Sequence, residues 1–236
     1  MRDNILIVGG TGFIGHHLSK SLKKKKSVYS ISINKPNKSR KVKGVKYINC
    51  DIYKKNLLYK KLGKINFDYV INLGGNIDHG NKARTVKSHF FGCKNLVDYF
   101  KNKNLKLFIQ IGSSLEYGKK KSPHYEFSKC KPNAYYGISK LRSSRYIVKC
   151  DQKKSFPFVV LRLYQVYGPN QSINRLIPIV ISSCLKNKKF DCSSGKQVRD
   201  FLYIDDLIGL MNKIIFSKKK VKGVFNVGSG KPVQVK

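Results

Sequence analysis

No apolar run in this chain is long enough to span a bilayer. Met1-Arg2-Asp3-Asn4 leads straight into a strand-like segment, so no signal peptide is expected either. The six cysteines (Cys50, Cys93, Cys130, Cys150, Cys184 and Cys192) contain no pair at metal-ligand or redox-motif spacing. That argues against a metal centre and fits reduced thiols in the cytoplasm. Internal repeats, low-complexity tracts and an obvious interdomain linker are also lacking.

Acidic residues are scarce: 12 Asp and Glu stand against 49 Lys and Arg, a formal net charge of +37. Such a balance attracts polyanions, whether nucleic acid, anionic membrane or phosphorylated substrates. The lysines are nevertheless spread along the whole chain, with short runs at Lys23–Lys26, Lys119–Lys121 and Lys218–Lys220 that fall at expected helix ends and loops. A solvated face explains such runs. The aromatic residues sit inside apolar strands instead of alternating with the basic runs, so a nucleic-acid platform is not expected. Modest steering of an anionic substrate is.

The most informative stretch is the start, where Asn4-Ile5-Leu6-Ile7-Val8 runs into Gly9-Gly10-Thr11-Gly12-Phe13-Ile14-Gly15. The apolar run reads as a buried parallel strand. Phe13, Ile14, Leu18 and Leu22 recur at helical spacing, so a helix begins where the glycines end, and its N-terminal amides and dipole favour an anion. Gly10, Gly12 and Gly15 fit the dinucleotide fingerprint, and Gly9, Gly12 and Gly15 a second spacing; a structural turn without ligand is the other reading. Phe13 and Ile14 join these glycines as expected cofactor-binding positions.

Further along, strand-like and helix-like segments alternate. Strands are expected at Ser27–Ile33, Val45–Asn49, Tyr69–Leu73, Lys106–Gly112, Phe158–Leu163, Phe201–Ile204 and Val224–Val227. Helices are expected around Lys54–Leu62, as one long element from Ala83 to Asn102, then at Ala134–Asp151, at Ile177–Leu185 and through Phe216, the last capped by Asp205-Asp206. This order predicts a Rossmann-type α/β fold, a doubly wound parallel sheet with helices on both faces, ligands binding at the carboxyl ends of the strands. Residues 1–168 are expected to form the dinucleotide-binding domain, with a strand contributed from about 201–204. Residues 169–236 would form a small, partial substrate lobe.

Tyr136 and Lys140 lie four apart on the helix that opens after Pro132-Asn133, about one turn apart on one face. A phenol titrates near ~10, and a neighbouring ammonium stabilises its anion, which lets tyrosine exchange a proton with a substrate hydroxyl. A surface Tyr-Lys pair is the other reading. Ser113-Ser114 ends the strand Lys106–Gly112, where a hydroxyl can reach the same substrate oxygen or simply cap a turn. Asp51 also ends a strand, as an acceptor for an adenine amino group or as a plain turn aspartate.

Taken together, the chain resembles the NAD-dependent epimerase/dehydratase family of extended short-chain dehydrogenases/reductases, whose members act on nucleotide sugars. Gly9-x-x-Gly12-x-x-Gly15 is that family's glycine spacing. Asp51-Ile52 is similar to its adenine contact, and Leu73-Gly74-Gly75 to its usual Leu-Ala-Ala after the fourth strand. Ser113-Ser114-Leu115-Glu116-Tyr117-Gly118 resembles its active-site serine segment, and Tyr136-Gly137-Ile138-Ser139-Lys140 its Tyr-x-x-x-Lys. Arg162–Pro169 resembles the stretch near the nicotinamide, Arg199–Asp206 the segment whose arginine meets the substrate diphosphate, and Phe225–Gly230 closes the series. The resemblance implies Tyr136 as acid/base, Lys140 as its partner and a nicotinamide-ribose ligand, and Ser113 as a hydroxyl bridge. It also implies substrate contacts from Ser113, Ser114, Gln165 and Arg199, with an ion pair of Arg199 to Asp200 or Asp205 as the competing role. A homodimer through the helices at Ala83–Asn102 and Ala134–Asp151 is implied as well.

Departures from the pattern refine these expectations. Asn34 stands where NAD-preferring members carry aspartate, and with Lys35 and Arg40 close by NADP stays open beside NAD. Ser114 and Leu115 replace the Asp-Glu of the dehydratases, so a 4,6-dehydratase is not expected. His89 occupies a usual asparagine position, and Gln165 replaces another. The family continues past Gly230 with elements that grip the nucleotide base, so the substrate lobe is expected to be truncated. The expected function is an NAD(P)-dependent nucleotide-sugar epimerase or 4-ketoreductase. The competing reading is a non-catalytic relative that binds RNA or a protein through its positive charge.

Overall fold

A computed structural model describes residues 2–76 and 80–235. In chain order the strands are β1 (Asn4–Val8), β2 (Ser27–Ser32), β3 (Lys46–Asn49), β4 (Tyr69–Asn72), β5 (Leu107–Ser113), β6 (Phe158–Leu163), β7 (Gln165–Tyr167), β8 (Val198–Arg199), β9 (Phe201–Tyr203), β10 (Gly223–Val227) and β11 (Val233–Gln234). The helices are α1 (Phe13–Leu22), α2 (Lys55–Leu62), α3 (Lys82–Val86), α4 (Gly92–Phe100), α5 (Tyr135–Lys154), α6 (Leu176–Leu185) and α7 (Ile204–Phe216).

Seven strands form one parallel sheet in the order β10-β6-β5-β4-β1-β2-β3. The chain reverses direction across the sheet between β1 and β4, which makes the carboxyl ends of these two strands the switch point where doubly wound sheets bind ligands. Apolar residues on both faces of the central strands explain the burial. Ile5 and Ile7 of β1 join a core closed by Leu18 and Leu22 of α1 and Leu207 and Met211 of α7. Leu6 and Val8 point the other way, into a core with Leu58 of α2, Leu96 of α4 and Ile147 of α5. A single five-residue strand thus holds two layers together.

Three expectations change. The expected helix Ala83–Asn102 is broken: α3 and α4 are joined by a π-helical turn over Lys87–Phe91. Such a turn adds a residue, which re-phases the downstream helix by roughly 100° and cannot be read from a 3.6-residue period. Asp205 and Asp206 do not cap α7; Tyr203 precedes its first turn without a side-chain bond, and the two carboxylates lie inside that turn, facing the positive helix end. Finally, the strand at Phe201–Tyr203 does not enter the main sheet. It pairs with β7 in a two-stranded sheet, and β8 pairs with β11 in another. The seventh strand is β10, registered on β6 from Gly223↔Val159 to Val227↔Leu163, so α7 and β10 belong to the same layered unit as β1–β6 and no break in the sheet falls at 168/169.

On the α4–α5 side, Asp98 accepts hydrogen bonds from Lys94 (2.6 Å), Lys101 (2.6 Å) and the Tyr146 hydroxyl (2.6 Å). Burial pushes its pKa up, but these three donors, Lys101 first, outweigh burial and hold it down at about 2. A carboxylate depressed in the fold stabilises it above the unfolded value and loses that contribution as pH falls toward the folded one. Between about pH 4 and pH 2 the chain is therefore expected to lose on the order of 2 kcal/mol through this group. Acid titration of the melting temperature checks it: the Asp98→Asn variant should show a shallower decline over that window.

Candidate active site

The parallel sheet brings every strand exit of interest to one edge. β1 ends at Val8, and Gly9 turns with a φ of +80° while its amide donates to Ile31 O at 2.8 Å. Gly12 precedes α1, with no side-chain cap and no acid in the first turn. A Cβ on Gly15 would lie 2.3 Å from Gly9 O and 2.5 Å from Gly10 Cα, so the helix start and the strand exit pack backbone to backbone. The first-turn amides of α1, including those of Phe13, Ile14 and Gly15, consequently face the sheet edge as an anion cradle.

Beside it, Leu73 N bonds Val8 O at 3.0 Å and Gly74 N bonds Asn72 Oδ1 at 3.1 Å, so the Leu73-Gly74-Gly75 exit lies directly against the glycine turn. Ile52 is buried beneath Gly74 and Gly92. Asp51 Oδ1 accepts from Tyr53 N at 3.0 Å. Asn34 is exposed at the exit of β2. Arg40 Nη2 donates to Asn170 O at 2.7 Å.

On the other side of the switch point, β5 delivers Ser113. This serine is buried, and its Oγ accepts from Leu115 N at 3.2 Å while its own amide donates to Glu116 Oε1 at 3.0 Å. Ser113 therefore caps the short 3-10 turn Ser114–Tyr117, and its hydroxyl hydrogen is what it can offer outward. The turn is clamped against α5, where a Cβ on Gly137 would lie 2.5 Å from Leu115 O. That close approach sets the first turn of α5, and with it half-buried Tyr136, beside the serine segment. Lys140, one turn on, is 4% exposed and donates from Nζ to Ile111 O at 2.8 Å, with Nζ 5.7 Å from the Tyr136 ring centre. Tyr136 and Lys140 are thus an inward-facing pair and not a surface one.

Sequence reasoning missed the polar frame behind these residues. Asn72 Nδ2 donates to Gln110 Oε1 at 2.8 Å, and Gln110 Nε2 donates to Ile111 O at 2.9 Å, the same carbonyl that holds Lys140. Cys93, buried in this frame, donates from Sγ to Gln110 Oε1 at 3.1 Å, and burial pushes its thiol up to about 12. Glu116 and Arg162 form a buried pair, Nε to Oε2 at 3.0 Å. The available signal was an amide or a charge standing inside apolar strands, which requires a buried partner.

Across the edge lies a cavity of about 260 Å³ whose lining includes Gln165, Arg175, Gln197, Arg199 and Phe201. It brings together two of the expected substrate residues, Gln165 and Arg199, and adds Arg175. Asp200, expected to compete for Arg199, instead accepts from the Ser229 and Gly230 amides at 2.6 and 2.9 Å. Ser114 is half-buried at the serine turn and does not line this cavity.

The profile of the NAD dependent epimerase/dehydratase family matches residues 5–228. The chain belongs to this family. Among curated relatives, a dTDP-D-glucose 4,6-dehydratase of Dictyostelium discoideum is 29% identical over 96% of this chain, which spans 58% of that relative's length. An uncharacterized UDP-glucose epimerase of Bacillus subtilis is 27% identical over 98% of this chain and 78% of its own. Among solved structures, a UDP-glucuronic acid 4-epimerase from Bacillus cereus in complex with NAD superposes with a TM-score of 0.88 at 28% identity, covering 98% of this chain and 80% of that one.

The family implies a dinucleotide, and the residues present fit one. An uncapped helix start with no acidic residue in its first turn suits a pyrophosphate, and the backbone packing at Gly15 keeps side chains out of its path. Phe13, Ile14 and Gly15 would hold the phosphates, and Asp51, Ile52 and Leu73–Gly75 lie along the same edge for the adenosine half.

Proposed function

We propose that this chain is an NAD-dependent nucleotide-sugar epimerase or 4-ketoreductase, with NADP as the alternative cofactor. The observation that carries this reading is the common placement of the α1 cradle and the Tyr136–Lys140 face of α5 at one edge of the sheet, on either side of the β1/β4 switch point. The named activities of the relatives support it.

In this reading Tyr136 takes the proton from a sugar hydroxyl as the carbinol carbon is oxidised, and returns it on reduction. Lys140, anchored on Ile111 O, places an ammonium 5.7 Å from the centre of the phenol ring. Ser113 donates its hydroxyl hydrogen to the same sugar oxygen. A nicotinamide dinucleotide held at the α1 cradle would supply the hydride acceptor and donor for that carbon. Arg199 and Arg175 hold the diphosphate from the neighbouring cavity, with Gln165 and Ser114 toward the sugar.

An elimination reaction is disfavoured by the one carboxylate of the serine turn. Glu116 is completely buried and its carboxylate oxygens are taken up by Arg162, Ser144 and the Ser113 amide, so it does not reach a sugar. A cytoplasmic location and a homodimer through α4 and α5 are part of the same proposal.

The test is a screen of UDP-, GDP-, CDP- and dTDP-sugars with NAD and NADP, read by NMR for product stereochemistry. The expected result is a hydroxyl centre inverted or, with stoichiometric reduction of the added NAD or NADP, oxidised to a ketone, with no loss of water. Absence of turnover, together with salt-dependent RNA binding at physiological ionic strength, would replace this reading with the non-catalytic one.

A further inference from the structure

His89 lies buried in the π-helical turn between α3 and α4, where contacts to both its ring and its backbone fix it. Its edge packs at right angles on Tyr136, with ring centres 5.0 Å apart and planes at 88°. Its Nε2 lies 3.1 Å from Asn76 O, and because a carbonyl only accepts, Nε2 carries the proton. Its own carbonyl accepts from Ser143 Oγ of α5 at 2.9 Å. The ring also occupies the space above Gly75: a Cβ there would lie 1.9 Å from Cε1, 2.3 Å from Nδ1 and 2.8 Å from Nε2. Three ring atoms on one added carbon leave no rotation that clears it while the Asn76 and Tyr136 contacts persist.

We propose that Gly75 and His89 are one matched pair, and that His89 is a positioning residue for Tyr136. The missing side chain at the β4 exit makes room for an imidazole, and that imidazole fixes the phenol ring by its edge-on contact. The pair links the strand exit beside the glycine turn to the proton-transferring group, so a change on one is felt at the other. The role in turnover rests on the function proposed above; the pairing itself does not.

The test compares Gly75→Ala, His89→Asn and the double variant. Gly75→Ala is expected to lower the melting temperature by roughly 5 °C, the consequence of overpacking a rigid site, and His89→Asn in the same chain to restore most of that loss. If Gly75→Ala fails to fold, the double variant should fold. A double variant no better than Gly75→Ala overturns the pairing. In protein carrying 13C-labelled tyrosine, the Tyr136 resonance is the one missing from Tyr136→Phe, and His89→Asn should move it more than any other tyrosine resonance. An unmoved resonance overturns the positioning role. Neither readout needs turnover, so both decide the inference even if the screen finds no substrate. With a sugar nucleotide that the screen identifies, His89→Asn should lower kcat about tenfold and leave KM within about twofold; an unchanged kcat overturns the positioning role as well.

Discussion

Replacing Tyr136 with phenylalanine is expected to lower kcat by about 10²- to 10⁴-fold, the range that general acid–base catalysis contributes. The substitution removes one oxygen and keeps the ring that packs edge-on against His89. It also leaves Lys140 its bond to Ile111 O, so neither the helix nor the buried ammonium loses its anchor. The melting temperature should therefore change far less than turnover does, because the ring that packs against His89 is retained. Loss of turnover with an intact fold assigns the proton transfer to the phenol. Full activity in this variant would mean that another group moves the proton, and the proposed chemistry would have to be abandoned.

That a tyrosine and a lysine four apart face inward was legible only through their neighbours. Spacing put them on one face of a helix; it did not say which way the face turned. The first strand and helix were plainer, because an unbroken apolar run followed by three glycines and a helical period has few other solutions, and β1 and α1 run over the expected residues. The frame behind the site was only half legible. Asn72, Gln110 and Arg162 each stand inside an apolar strand, which says that a partner exists but not where, since the partner arrives from a neighbouring strand or from a turn some 46 positions away. The π-helical turn was not legible at all, because an added residue has no compositional mark. Gly75 was visible as part of a segment similar to a family one, and His89 separately as a departure from the family pattern. Only the 1.9 Å approach in the fold makes them one feature. The substrate side was the least legible: short two-residue strands such as β8 and β11 carry too few residues for a period, and Arg175 gave no signal until the cavity joined it to Arg199.

Truncating Glu116 to alanine is expected to be the most damaging change to stability, about 3–5 kcal/mol, because it strands a buried cation. The Glu116 side chain is 0% exposed and that of Arg162 7%, with Nε and Oε2 3.0 Å apart. Arg162 keeps two acceptors, the Tyr117 hydroxyl at 2.9 Å and Glu126 O at 3.1 Å, but both are neutral and neither offsets the charge. The Ser113 amide loses its acceptor at the same time, while the Ser144 hydroxyl is left with Lys140 O at 3.2 Å. A domain of this size falls by about 2–4 °C per kcal/mol, so the melting temperature should drop by roughly 10 °C. Removing the charge as well separates pairing from packing: Glu116→Leu with Arg162→Met should recover most of the loss, since replacing both members of a buried pair with apolar residues is often neutral or stabilising. A Glu116→Ala protein that melts with the parent would show that water reaches Arg162. In that event the serine turn would not owe its geometry to the ion pair. With the pair absent and the fold restored, Ser113 loses the carboxylate that fixes its amide, so the double variant should remain slow. Stability recovered without turnover is the result that assigns Glu116 to holding the serine in place, apart from holding the fold.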